Sequence, residues 1–103
     1  VLGRNPLDQS YVSGFGARPL RNPHHRFWAK QANSAYPAPP SGVLSGGPNS
    51  TNMSDPVAEP MKGKCRPQTC WTDDYRAFTQ NEVAVNWNAP LVWVSAFLDD
   101  TAR

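Results

Sequence analysis

The run Asn88-Ala89-Pro90-Leu91-Val92-Trp93-Val94-Ser95-Ala96-Phe97-Leu98 decides the fold class of this chain. From Ala89 to Leu98 every residue except Pro90 and Ser95 is apolar. At about 100° per residue these side chains cover nearly the whole circumference of a helix. A helix that is apolar all round is buried on every side. Asn88 is suited to cap it, and Pro90 is tolerated in a first turn. A buried strand over Leu91–Val94 is the competing reading, because Val and Trp favour strands. The helix is preferred, and with it an all-α class. The remainder of the chain is mostly loop and cannot wrap such a helix, so the sequence predicts a helix made for a larger body.

The apolar supply agrees. Leu, Val and Phe total 18 of 103 residues and Ile is absent. That share falls below the roughly 20% at which an independent globular core becomes doubtful. Seven of the 18 lie between Val83 and Leu98, whereas ten of the 11 Pro and all 7 Gly lie in residues 1–67. Residues 1–30 hold five basic and one acidic side chain, and residues 67–103 hold two basic and five acidic. A net charge of +2 is too small for a committed nucleic-acid binder. No stretch of about 18 apolar residues offers a membrane span, and the N-terminus does not read as a signal peptide. Neither nucleic acid nor membrane is an expected partner. Gly3-Arg4-Asn5-Pro6 has the form of a helix C-cap followed by a breaker, which predicts a helix ending at the start of the chain.

Upstream of the apolar run, Glu82 sits in Gln80-Asn81-Glu82-Val83-Ala84-Val85-Asn86-Trp87. Apolar neighbours make it costly to ionise a carboxyl group, which suits Glu82 to donate a proton. Asp73, nine residues earlier, is a second carboxylate, and Thr72 or Asp73 is placed to cap a short helix over Asp74–Thr79. Trp71, Tyr75, Phe78 and Trp87 surround the pair. Sugar rings present apolar C–H faces, so carboxylates among aromatics suit a glycosidase cleft. The plainer alternative is a structural Glu and a capping Asp.

Residues 27–67 are rich in Pro, Gly, Ser and Asn, yet Trp28, Tyr36 and Leu44 are poor linker residues. A long ordered loop region is expected, of the kind that carries function. Asp8–Ser13 suits one helical turn, and Gly14-Phe15-Gly16 needs a permissive backbone. Ser45-Gly46-Gly47-Pro48-Asn49 is a turn, without the Gly-Lys-Ser/Thr of a phosphate loop. Asn49 and Asn52 each start a glycosylation-type triplet, a pattern common enough to arise by chance. His24 and His25 are adjacent and should point in different directions. Cys65 and Cys70, with four residues between them, suit a disulfide across a Pro-containing turn, which would imply export. Free thiols or a metal site are the alternatives.

Two separated motifs closely resemble the signatures of glycoside hydrolase family 9, the cellulase family formerly lettered E. The first runs Ser10-Tyr11-Val12-Ser13-Gly14-Phe15-Gly16-Ala17-Arg18, then four residues, then Pro23-His24-His25-Arg26. The second runs Trp71-Thr72-Asp73, then Phe78, Glu82-Val83-Ala84 and Asn88-Ala89. Both stand in the family's order, and the resemblance covers nearly the whole chain. It implies a fragment of an (α/α)6 barrel: loop-rich, with a short helix and one buried C-terminal helix, residues 1–103 forming the C-terminal segment of the catalytic domain. It also implies hydrolysis of β-1,4-glucosidic bonds in cellulose or related β-glucans with inversion, by a secreted enzyme that needs no cofactor. Glu82 matches the family's general acid, Asp73 a supporting carboxylate and His24 the active-site His. Arg26 matches the substrate-contacting Arg. Trp87 stands where many members carry a cleft-facing Tyr. Asn86-Trp87 resembles the subgroup with an N-terminal immunoglobulin-like domain.

An inverting glycosidase needs two carboxyl groups about 6.5–9.5 Å apart on opposite faces of the sugar. The family's base lies in an N-terminal Asp-x-x-Asp motif that is absent here. The segment is therefore expected to hold the acid half, to depend on the missing N-terminal part of its own domain, and to be inactive alone. No metal ligands are assigned. The rival readings are a non-catalytic carbohydrate-binding segment using Trp28, Trp71, Trp87 and Trp93, and an interaction segment without chemistry.

Overall fold

A computed structural model describes residues 1–102. Two helical elements occur among them: a single 3-10 turn at Glu59–Met61 and helix α1 at Val85–Thr101. The remaining backbone is joined by isolated bridges rather than a sheet. Val12 pairs with Leu44, Ser45 with Val83, and Glu82 with His24. Segments 10–13, 43–46, 82–83 and 24 thus lie side by side, although they are far apart in sequence.

Two small cores hold this arrangement. Tyr11, Leu20 and Trp71 form the first, with Leu7 and Leu44 packed against it. The Tyr11 and Trp71 rings meet edge to face at 5.1 Å, a favoured aromatic geometry. Met53, Ala58 and Cys70 form the second, flanked by Met61 and Cys65. Gly16 carries the permissive backbone expected of it, at φ 88°, and a Cβ there would come within 2.7 Å of the Leu2 carbonyl oxygen.

Helix α1 begins earlier than the sequence predicts. Its N-cap is Ala84, and Pro90 lies inside it. Asn88 does not cap the helix because its amide is engaged elsewhere. Its Oδ1 accepts from Leu44 N at 2.9 Å, and its Nδ2 donates to Leu44 O and Ala84 O, each at 2.9 Å. One side chain therefore staples the first turn to segment 43–46. The strand alternative at Leu91–Val94 falls. The helix is apolar as read, but none of its residues is buried, and Trp93 is 68% exposed. Among the described residues only its first turns are partly covered, at Asn88 and Leu91.

Two other local expectations are corrected, over Asp8–Ser13 and Asp74–Thr79. Asp8–Ser13 is not a helical turn: Asp8 sits at φ 48° and Ser10, Val12 and Ser13 are bridge residues. The helix expected to end at Gly3-Arg4-Asn5-Pro6 would have its body before Val1, outside the described residues. Leu2 bridges Ser10, and Asn5 Oδ1 accepts from Leu7 N and Gln9 N at 3.1 and 3.3 Å. No helix forms over Asp74–Thr79. Asp74 Oδ1 accepts from Arg76 N at 2.9 Å, a local side-chain turn that competes with helix formation. The Asp73 carboxylate, expected as a cap, is held by another segment.

Candidate active site

The parallel bridge between His24 and Glu82 places the two sequence-predicted site residues side by side. His24 N donates to Asn81 O at 3.1 Å and lies 3.2 Å from Asn81 Oδ1. Behind them, Asp73 grips the backbone just before His24. Its Oδ2 accepts from Arg21 N at 2.9 Å and its Oδ1 from Asn22 N at 2.6 Å. Burial pushes the Asp73 carboxyl above its ordinary value, against the opposing pull of the Asn22 and Arg21 N–H groups and the Arg21 charge. Each Asp73 oxygen has an N–H partner, so the geometry fits a residue that positions the Arg21–Asn22 turn.

The His24 ring lies against Tyr75 and Phe78, with centroids 5.1 and 5.6 Å away. Its Nδ1 is 2.7 Å from Tyr75 O. A carbonyl oxygen only accepts, so Nδ1 carries a proton, which leaves Nε2 as the acceptor in the uncharged tautomer. His25 turns elsewhere and stacks on Trp28, with centroids 4.1 Å apart. Glu82 is exposed, so the apolar enclosure expected from its neighbours is not provided by this chain. Val83 and Ala84 are only half-buried and line a separate cavity with His25 and Trp28. Arg26 is also exposed.

Trp87 packs beside Gly46, whose N donates to Glu82 O at 2.8 Å. It lines a cavity of about 650 Å³ with Leu44, Gly46, Asn49, Gln80 and Pro90. Gly46 makes that packing possible, since a Cβ there would lie 2.6 Å from Gln80 O and 3.2 Å from the Trp87 ring. The stacking-platform reading weakens at two of its tryptophans. Trp71 is buried and donates its indole N–H to Gly46 O at 3.3 Å, and Trp28 has a face taken by His25. The Cys65 and Cys70 sulfurs are bonded, with Cα atoms 5.4 Å apart. Among the described residues no three His, Cys, Asp or Glu side chains cluster to hold a metal ion.

Sequence reasoning passed over three polar residues that build the site. Asn81, with 0% exposure, donates through Nδ2 toward Asn22 O, Thr72 O and Asp74 O at 3.1, 3.2 and 2.8 Å. It clips the His24 and Asp73 segments to the residue before Glu82. Asp55, also at 0%, accepts at Oδ1 from Val57 N and Ala58 N, and at Oδ2 from Thr79 N and the Thr79 hydroxyl. Burial would raise its carboxyl, but these hydrogen bonds win and hold it below its ordinary value. Gln31 Oε1 accepts from Tyr75 N at 2.7 Å. Asn49 spends its amide within its own loop and on Thr79 O. The only sequence signal was that Asn81 adjoins Glu82.

His24 and Glu82 are thus paired across a bridge, with Asp73 behind them and the Tyr75 and Phe78 rings alongside. The family model of Glycosyl hydrolase family 9 matches residues 1–95. A Cellulose 1,4-beta-cellobiosidase of Acetivibrio thermocellus is 50% identical over 100 residues, covering 97% of this chain and 11% of the relative. Endoglucanase C of Cellulomonas fimi is 40% identical over 102 residues, covering 97% and 9%. A solved single mutant of a thermostable endoglucanase from Alicyclobacillus acidocaldarius superposes with a TM-score of 0.77 at 41% identity, covering 93% of this chain and 17% of that one. The chain belongs to glycosyl hydrolase family 9 as a fragment of its catalytic domain, a piece of an (α/α)6 barrel. It spans about a tenth of the length of these curated relatives.

Proposed function

We propose that the complete protein hydrolyses β-1,4-glucosidic bonds in cellulose or related β-glucans with inversion, and that Glu82 is its general acid. The observation that carries this reading is the His24–Glu82 bridge, with Asp73 clamping the turn that leads into His24. Relatives named as cellobiosidase and endoglucanase support the substrate class, as does the structure of AaCel9A in complex with cellobiose-like isofagomine.

In this mechanism Glu82 gives its proton to the leaving glucosidic oxygen, and the bridge to His24 fixes the backbone from which its side chain extends. His24 Nε2 accepts a hydrogen bond from a sugar hydroxyl, while Arg26 and Trp87 contact substrate. Asp73 keeps the His24 segment in place. A carboxylate from the rest of the domain activates water on the opposite face of the ring. The segment alone then has an acid and no base, and is inactive. No described helix is long and apolar enough to cross a membrane. A polymeric substrate that cannot enter a cell places the work outside it, and the bonded Cys65 and Cys70 agree with export.

The test is the configuration of the sugar released by the full-length enzyme from cello-oligosaccharides, followed by NMR before mutarotation. The α-anomer should appear first. Initial release of the β-anomer would overturn inversion, and with it the assigned division between acid and base.

A further inference from the structure

We propose that Gln31 is a positioning residue for His24, acting through the backbone of Tyr75. The inference rests on the reading of His24 as an active-site residue and goes beyond it by identifying what fixes the ring.

The chain leaves His24, passes Trp28, and turns at Ala29, a buried residue whose carbonyl accepts from Ala32 N at 2.9 Å and Asn33 N at 3.0 Å. This turn brings Gln31 back to the segment that orients His24. There the Gln31 amide acts on two groups. Oε1 accepts from Tyr75 N at 2.7 Å, and, behind the Arg76 guanidinium, the polar side chain also helps hold the Asp74 carboxyl below its ordinary value. The peptide between Asp74 and Tyr75 is held at its other end as well, where Asp74 O accepts from Asn81 Nδ2 at 2.8 Å. The next carbonyl, Tyr75 O, receives His24 Nδ1 at 2.7 Å. Tyr75 is therefore pinned from both sides, and the direction of its carbonyl decides which His24 nitrogen carries the proton. Asp74 is itself fixed: the Arg76 guanidinium first, and Gln31 among lesser partners, hold its carboxyl below the ordinary value. Gln31 is exposed, so replacing it removes a hydrogen-bonding group without opening a core.

The experiment uses the full-length enzyme with cello-oligosaccharide substrates. It combines kinetics with ¹⁵N NMR of the imidazole nitrogens. Gln31→Met keeps the length of the side chain and removes its polar atoms. It should lower kcat/KM by about fivefold, the rate equivalent of one typical hydrogen bond. It should also shift the His24 ring away from a single Nδ1–H tautomer. In a His24→Ala background the same change should have no effect. Gln31→Glu sets two carboxylates face to face and should be worse than Gln31→Met. Combining it with Asp74→Asn, which exchanges amide and carboxyl, should restore activity. If Gln31→Met leaves rate and tautomer unchanged while His24→Ala is crippled, the positioning role is wrong and His24 keeps its place. Equal losses from Gln31→Met in both backgrounds overturn the role in the same way. If His24→Ala retains full activity, it is the reading of His24 that fails.

Discussion

Between residues 9 and 84 the described backbone is helical for no more than one turn, yet Ser10, Ala58, Ala77 and Asn81 have no exposed surface. Helix α1 runs unbroken for 17 residues and buries none of them. The irregular part is held by side chains reaching across large sequence separations: Asp73 to Arg21 and Asn22, Asn81 to Asn22, Asp55 to Thr79, Asn88 to Leu44. The regular part satisfies its own backbone and leaves Val92, Trp93, Phe97 and Leu98 exposed. Regularity and anchoring are therefore separate properties. The site residues belong to the anchored part. The helix is stapled to that part through Asn88.

This contrast is broken most easily at the helix. In the complete catalytic domain, where barrel neighbours should cover α1, Trp93→Ala is expected to cost about 3–5 kcal/mol, the usual range for emptying a buried Trp site. In the 103-residue chain, where Trp93 is 68% exposed, the change should stay within about 0.5 kcal/mol. Denaturant melts of both forms check this. A small effect in both would mean that α1 is not a barrel helix.

A smaller effect is expected in the anchored part, at Asp55. Its folded-state carboxyl lies below the ordinary value, because hydrogen bonds to the ionised form outweigh the opposing cost of burial. Its stabilisation is therefore present above the unfolded carboxyl's value and is lost as pH falls through the lowered folded value. Asp55→Asn in the complete domain should cost about 1–3 kcal/mol at pH 7, as expected for charge-assisted hydrogen bonds left incomplete. That difference should be smaller at pH 3, below the unfolded carboxyl's value, than at pH 7. Urea midpoints at the two pH values measure it, and a pH-independent difference would contradict the assignment.

The same contrast explains what the sequence made legible. Helix α1 was visible because its apolar run is a local pattern, and so was its need for a larger body. Its start was misread because Asn88, a good cap by type, is engaged by Leu44 far upstream. The helix expected over Asp74–Thr79 failed for a related reason, since Asp74 bonds locally to Arg76. His24, Asp73 and Glu82 could be named through the two motifs, and the structure brings their segments together. Asn81, Asp55 and Gln31 stayed hidden because a polar residue in a loop looks the same whether it faces water or joins segments 24 to 59 residues away. Trp87, grouped with Glu82 on sequence, packs against Gly46, which is itself bonded to Glu82 O.

The most direct test of the central claim compares Glu82→Gln with the unchanged full-length enzyme on two substrates. One is an unactivated cello-oligosaccharide and the other an aryl cellobioside with a good leaving group. Loss of a general acid typically costs about 10²–10⁴-fold where the leaving oxygen needs a proton. Glu82→Gln should therefore fall in that range on the oligosaccharide and lose far less on the aryl glycoside. Equal losses on both substrates would contradict the assignment of Glu82 as the acid.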